Sequence, residues 1–257
     1  MYFNGVILLL LMPAILADEE LPERDLIQPR IFHGKPISLR TLGGYAVQIY
    51  RGSTLVCTGT LLSKNHILTA AHCFERANFT DFYVVAGETD QVDFYFEEDR
   101  NYVIKGKRHP DYNKLQFIGD IAVVKVRYPI RGRGTGYMNL CSRLMSAGNM
   151  VTVSGWGSSE NQRNHNKLRT MRIPIVAKPE CNEKMAIKLP VNVICATNYK
   201  KSTLCSGDSG GPMIFNGEVC GVSTWTFECG NTIKPDIFMS VYVYRDFINK
   251  AMDEMGD

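Results

Sequence analysis

The chain of 257 residues lacks any apolar run long enough to cross a bilayer, which takes about 20 consecutive residues. Its longest candidate covers residues 6–11 and continues as Met-Pro-Ala-Ile-Leu-Ala to small Ala17 before acidic Asp18, with no Lys or Arg ahead of it. A spanning helix is therefore excluded, and residues 1–17 read as a secretory signal peptide cleaved near Ala17. Helical periodicity is scarce, which argues against a helical fold. There is no internal repeat and no low-complexity tract, so neither an array nor a biased tail accounts for the body of the chain. Cysteine is absent before residue 57, and none of the eight is left over from pairing. Neither Cys-x-x-Cys nor His-x-x-x-His spacing occurs, which speaks against a zinc site, whereas an even count in a secreted chain predicts disulfides.

What is present is a strand pattern. Short runs rich in Val, Ile, Tyr and Thr at 46–50, 66–69, 82–86, 121–126, 150–154 and 218–225 alternate with Gly, Asn and Pro punctuation. That pattern predicts a mostly antiparallel β fold. One helix is expected, over 246–255, where Phe247, Ala251 and Met255 fall four apart and can seat one face on the body. Composition, 45% apolar and 21% charged, is that of a soluble globular protein. Residues 18–30 are polar and contain Pro22 and Pro29; they read as a short propeptide. Five acids there stand against Arg24 and Arg30, so removing the segment takes the formal charge from +3 to +6. The cluster Lys105-Gly106-Lys107-Arg108 reads as a solvated strand edge rather than an anion site, and no nucleic-acid partner is expected. Glu88, Asp90, Asp93, Glu97 and Glu98 read as an acidic solvated loop rather than a calcium site. No metal and no cofactor is expected. Asn78-Phe79-Thr80 is an N-glycosylation acceptor in an expected surface loop.

The chemistry-bearing residues lie in three short motifs. Residues 205–212, Cys-Ser-Gly-Asp-Ser-Gly-Gly-Pro, put Ser209 in a glycine-rich turn. A serine hydroxyl is a weak nucleophile at neutral pH and needs a base with an orienting acid. Thr69-Ala70-Ala71-His72-Cys73 offers the base, and Asp120 opens an apolar strand 48 residues later, with Ser209 another 89 residues on. The order His, Asp, Ser matters because unrelated folds that converge on the same triad use other orders. In these motifs and their order the sequence resembles the trypsin and chymotrypsin family of serine endopeptidases, over residues 31–257.

The resemblance implies two antiparallel six-stranded β-barrels, about 31–140 and 141–257, with a C-terminal helix and a catalytic cleft between the barrels. It implies His72 as general base, Asp120 as its orienting acid and Ser209 as nucleophile, with the amides of Gly207 and Ser209 forming the oxyanion hole. It also implies bridges Cys57–Cys73, Cys181–Cys195 and Cys205–Cys229, and the remaining Cys141 and Cys220 are then expected to pair. Val151 and Phe215 stand where many relatives carry a further bridge. Thr224, at the place of a family serine, keeps a hydroxyl that could bond Asp120. Arg30-Ile31-Phe32-His33-Gly34 resembles the activation junction, in which cleavage after Arg30 frees an Ile31 ammonium that pairs with Asp208. Phe32 and His33 depart from the family's usual residues.

At the specificity pocket the resemblance places Thr203, Leu204, Thr226 and Asp236. Asp236 could select a Lys or Arg side chain, or it could bond the Thr203 hydroxyl and fill the pocket, since a buried carboxylate without a partner is costly. Thr226 should narrow the mouth and disfavour large aromatic side chains. The expectation is thus a secreted, extracellular zymogen that hydrolyses peptide bonds of protein substrates. Its partners would be an activating protease and protein inhibitors, and the chain would work as a monomer with no membrane contact once the leader is gone. Two rivals remain: a non-catalytic adaptor of the same fold with an occluded pocket, and a serine esterase. The intact triad weighs against the first, and the esterase elbow Gly-x-Ser-x-Gly with its order Ser, Asp, His against the second.

Overall fold

The computed structural model describes residues 34–92, 100–132, 134–157, 167–199, 203–227 and 233–256. The expected leader, the propeptide, Arg30, Ile31, Asp93, Glu97, Glu98 and Cys229 lie outside the described residues. After β1 (Lys35–Pro36) and the one-turn helix α1 (Leu39–Leu42) come β2 (Ala46–Arg51), β3 (Thr54–Leu61), β4 (His66–Thr69), β5 (Phe82–Val85), β6 (Asn101–Arg108) and β7 (Ala122–Val126). These six close into an antiparallel barrel in the order β2-β3-β4-β7-β6-β5.

Every residue of β4 and β7 is buried, so neither strand shows the polar alternation of a half-exposed sheet. The reason lies in what each face meets. Ile67 pairs with Val124 in register, and both point into the barrel core with Val47, Ile49 and Phe82. Leu68 pairs with Val123, and both face outward into a second cluster shared with the other lobe. A strand buried on both faces reads as a continuous apolar run, which is the pattern seen at 121–126.

The second lobe contains β8 (Asn139–Leu140), β9 (Met150–Gly155), β10 (Arg169–Pro174), α2 (Lys178–Met185), β11 (Val193–Ala196), β12 (Pro212–Phe215), β13 (Glu218–Trp225), β14 (Asp236–Ser240) and α3 (Arg245–Met255). Its sheet runs β1-β10-β9-β12-β13-β14-β11, with β8 parallel to β13. Six of these strands curl into the expected second barrel, but the seam is not a full ladder. An isolated bridge between Ile175 and Ala196, with Val176 N donating to Cys195 O at 2.8 Å, brings the end of β10 back to β11.

Both chain ends cross the expected lobe division. β1 pairs with β10 of the second lobe, and α3 returns to the first, where the buried Lys125 of β7 donates from Nζ to the carbonyls of Met255 and Gly256 at 3.1 and 2.9 Å. A cation at a helix C-terminus satisfies orphan carbonyls and complements the helix dipole. Helix α3 buries Ile248, Ala251 and Met255. Helix α2 has no counterpart in the sequence reading because its eight residues carry only Cys181 and Met185 on the inner face. Disulfides join Cys57 to Cys73, Cys141 to Cys220 and Cys181 to Cys195. Cys205 is also disulfide-bonded.

Candidate active site

His72 sits in a 3-10 turn, Ala71–Phe74, directly after β4. The turn is clamped from one side by the Cys57–Cys73 bond and from the other by Glu75, whose amide donates to His72 O at 3.1 Å. Asp120 stands just before β7 and is 1% exposed. Its two carboxylate oxygens have separate tasks: Oδ1 accepts from His72 N at 2.9 Å, and Oδ2 lies 2.8 Å from His72 Nδ1. A carboxylate there holds the ring proton on Nδ1 and leaves the Nε2 lone pair facing outward as an acceptor.

The Asp120 corner is built from across the molecule. Gly119 has φ +62°, and its amide donates to the Tyr244 hydroxyl at 2.7 Å, so the residue that begins helix α3 fixes the backbone beside the acid. A Cβ at position 119 would stand 3.0 Å from both His109 Nδ1 and Tyr112 N. His109 packs edge-on against Tyr244 and Phe247, and burial holds its pKa below the usual histidine value. Tyr112 donates to Glu75 at 2.6 Å; that bond is the main reason the Glu75 pKa is lowered, while burial comes first among the causes that raise Tyr112.

Ser209 occupies a loop held at several points by hydrogen bonds. Asp208 is fully buried and its carboxylate accepts from Gly157 N at 2.8 Å and Cys205 N at 2.9 Å. Thr58 of β3 reaches across from the first lobe, donating its hydroxyl to Gly207 O at 2.9 Å and its amide to Ser209 O at 2.8 Å. Gly210 has φ +80°, and a Cβ there would stand 2.0 Å from Thr69 Oγ1. Among the described residues, the amides of Asp208, Gly210 and Gly211 donate to backbone carbonyls, whereas those of Gly207 and Ser209 donate to no protein acceptor. Two open N–H groups, one on each side of Asp208 and beside a serine hydroxyl, are the kind of donor pair that can hold an anionic oxygen.

A cleft of about 230 Å³ is lined by His72, Lys114, Cys205, Ser206, Ser209, Thr224, Trp225 and Thr226. The structure thus brings the His72 ring and the Ser209 hydroxyl to one concavity from separate lobes. It also redistributes the expected pocket residues. Thr226 lines the cleft, but Thr203, Leu204 and Asp236 are buried to 1–2% exposure beneath it. Asp236 accepts from Leu204 N at 3.1 Å and bonds the Thr226 side chain. Its pKa is pushed up to about 7, chiefly by burial, with the Asp208 charge adding to the rise. The sequence reading of Thr224 needs correction: its hydroxyl donates to Ile237 O at 3.1 Å, not to Asp120, because β13 turns that side chain toward the neighbouring strand β14.

Sequence reasoning missed Thr58, Tyr244 and Lys125, whose roles depend on long-range placement, although Lys125 inside an apolar run was a signal worth following. Asn78 is exposed, with its amide on the Asp81 carboxylate at 3.1 Å. Lys107 of the basic cluster pairs with Glu254 of α3. Of the acidic group, Glu88 and Asp90 are described and both are exposed. Groupings of Cys57, His72 and Cys73, and of Cys141, Glu218 and Cys220, bring potential metal ligands together. Their cysteines are committed to disulfides, which leaves no thiolate for an ion.

Residues 31–248 match the family model described as Trypsin. Among curated proteins, the chain is 28% identical over 229 residues to Seminase of Drosophila melanogaster, covering 88% of this chain and 82% of that protein. It is 29% identical over 227 residues to Trypsin-2 of Salmo salar, covering 83% and 95% respectively. Among solved structures, neuropsin, a serine protease expressed in the limbic system of mouse brain, superposes with a TM-score of 0.74 at 24% identity, over 84% of this chain and 97% of that one. That last likeness supports the fold alone.

Proposed function

Since the chain belongs to the trypsin family and is a serine endopeptidase, we propose that His72, Asp120 and Ser209 are its catalytic triad and that it is secreted as a zymogen activated by cleavage after Arg30. The observation that carries the proposal is the 2.8 Å contact between His72 Nδ1 and the buried Asp120 carboxylate, on the cleft that also holds Ser209. Neutral His72 takes the Ser209 proton on Nε2 as Oγ adds to the peptide carbonyl. Gly207 and Ser209 amides donate to the oxygen that becomes negative, worth about 2.7–4 kcal/mol per donor in this chemistry. The imidazolium then protonates the leaving amine, and water, deprotonated by the same ring, releases the acid and restores the serine. Asp120 stabilises the charged ring throughout and stays ionised.

Activation is read from Asp208. Cleavage after Arg30 would free the Ile31 ammonium to join the buried carboxylate that already accepts two amides of the nucleophile loop. A buried ion pair of that kind orders a loop that is under-determined without it.

At the primary pocket the proposal is a preference for small or aliphatic side chains. Thr224 and Thr226 line a small cleft, and the carboxylate that would attract a base is sealed below Thr226 with its hydrogen bonds already engaged. The test is to cleave purified precursor after Arg30 and profile it on peptides carrying Ala or Val, Lys or Arg, or Phe before the scissile bond, with Ser209→Ala as control. Turnover of Ala and Val peptides by the parent and not by the variant supports the whole reading. Turnover confined to Lys and Arg peptides overturns the pocket assignment. Equal inactivity of both proteins, with the loop ordered, favours the adaptor.

A further inference from the structure

The catalytic cleft is small beside a second cavity. A groove of about 970 Å³ runs between β1, α1 and the strands of the second lobe, and it shares no lining residue with the cleft. Its wall is apolar, formed by Ile37, Leu42, Met138, Met171 and Ile214 together with Tyr45, whose pKa is pushed up to about 12 by burial. Lys35 and Arg172 add two exposed cations, no Asp or Glu lines it, and neither cation is in an ion pair among the described residues. The volume is at the upper end of sites that take a ligand, about 300–1,000 Å³. An apolar trough with a basic rim calls for an occupant that is apolar and acidic together.

The chain carries such a segment. Residues 18–30 hold five acids and two bases, interspersed with Leu21, Leu26 and Ile27. The described residues begin at the groove itself: Gly34 O accepts from Arg169 at 2.6 Å, and Lys35, the next residue, both pairs with Thr170 of β10 and lines the groove. We propose that this groove is the docking site of residues 18–30 in the uncleaved precursor, with Leu26 and Ile27 against the apolar wall and the acids on Lys35 and Arg172. Four residues separate Arg30 from Lys35, a reach of at most ~17 Å from one Cα to the other, so the segment is confined beside its site. A short tether gives an effective concentration in the millimolar range, so a weak intrinsic affinity fills the groove in cis. Cutting after Arg30 removes the tether, and the same weak affinity then lets the segment leave. Docking would hold the Ile31 junction away from Asp208 until cleavage; this consequence rests on the zymogen reading above, whereas the docking itself does not.

The test therefore uses binding, in precursors carrying Ser209→Ala so that no activity enters. A fluorescent peptide of residues 18–30 is titrated against three proteins, each checked for folding by thermal unfolding: the precursor, the precursor with Leu26→Asp and Ile27→Asp, and the latter with Lys35→Glu and Arg172→Glu added. The expected result is at least tenfold tighter binding to the second than to the first, where the groove is filled in cis, and loss of that gain in the third. Equal binding to the first two, no binding to any, or a gain that survives the charge reversal would each overturn the proposal. Failure here leaves the peptide-cleavage test of the triad untouched, and failure of that test leaves this one standing.

Discussion

The two lobes contribute to the site in different ways. The first is a closed barrel, and it delivers Asp120 and His72 already joined by two hydrogen bonds, at 2.8 and 2.9 Å, from positions flanking its buried strands β4 and β7. The second completes its ring through an isolated bridge, and it supplies the Ser209 loop and the residues of the proposed pocket, each held by contacts from elsewhere. Thr58 of the first lobe clamps the loop, and a carboxylate sealed under Thr226 forms the pocket floor. The half made by local strand pairing is ready as built, and the half to which selectivity and activation are proposed to belong depends on a few long-range bonds.

Substitutions can break that contrast or sharpen it. The largest effect is expected from Asp120→Asn, which keeps the shape of the first-lobe pair but favours the wrong ring tautomer; losses in this enzyme class are roughly 10⁴-fold in kcat, and steady-state kinetics with intact thermal stability would identify it. A rate near the parent's would mean that the first-lobe pair is not the base. Next comes Thr226→Gly, which uncovers Asp236. Activity on Lys and Arg peptides should rise about tenfold or more relative to Ala peptides, a difference of ~1.4 kcal/mol. The Asp236 pKa stands at about 7 chiefly through burial; uncovering the carboxylate removes that cause and lowers the pKa, so the gain should already be present at pH 7.

Asp236 also gives a stability test. Its folded pKa lies above the ordinary 3.8, so the folded state binds the extra proton and stability falls as pH rises from about 4 through 7. Asp236→Asn should remove that part of the pH dependence in urea titrations, and an unchanged slope would place the carboxylate in a wetter setting. Thr58→Val is expected to cost about 1 kcal/mol in stability and about tenfold in kcat, with the His72–Asp120 pair unaffected. The smallest change in rate is expected from Tyr244→Phe, which strips the acceptor from Gly119 N. It should cost about 1–2 kcal/mol in thermal unfolding and only a few-fold in kcat, since the His72–Asp120 bonds survive.

Much of this was readable along the chain because short motifs carry it. A β fold followed from runs such as 121–126 and 218–225, and the even cysteine count pointed to disulfides, three of which join described residues. The motifs around residues 72, 120 and 209 identified the family. What escaped was contact between distant segments. Thr58 looks like any strand threonine, Tyr244 like any residue ahead of a helix, and helix α2 has too few apolar positions to announce itself. Thr224 was misjudged for the same reason: a hydroxyl has one proton, and which carbonyl or carboxylate receives it depends on strand geometry.

Residue type and spacing alone determined which chemistry this protein can hold, since nucleophile, base, acid, thiols and the glycines of a tight turn are covalent facts of the chain. Only the folded structure decided which groups meet and which are sealed away. It brought two lobes together at one cleft, buried Asp236 beneath Thr226 with its pKa raised, and left a wide basic-rimmed groove beside β1. The reason is that burial and hydrogen-bond partnership are properties of surroundings assembled from the whole chain, and no local stretch of sequence contains them.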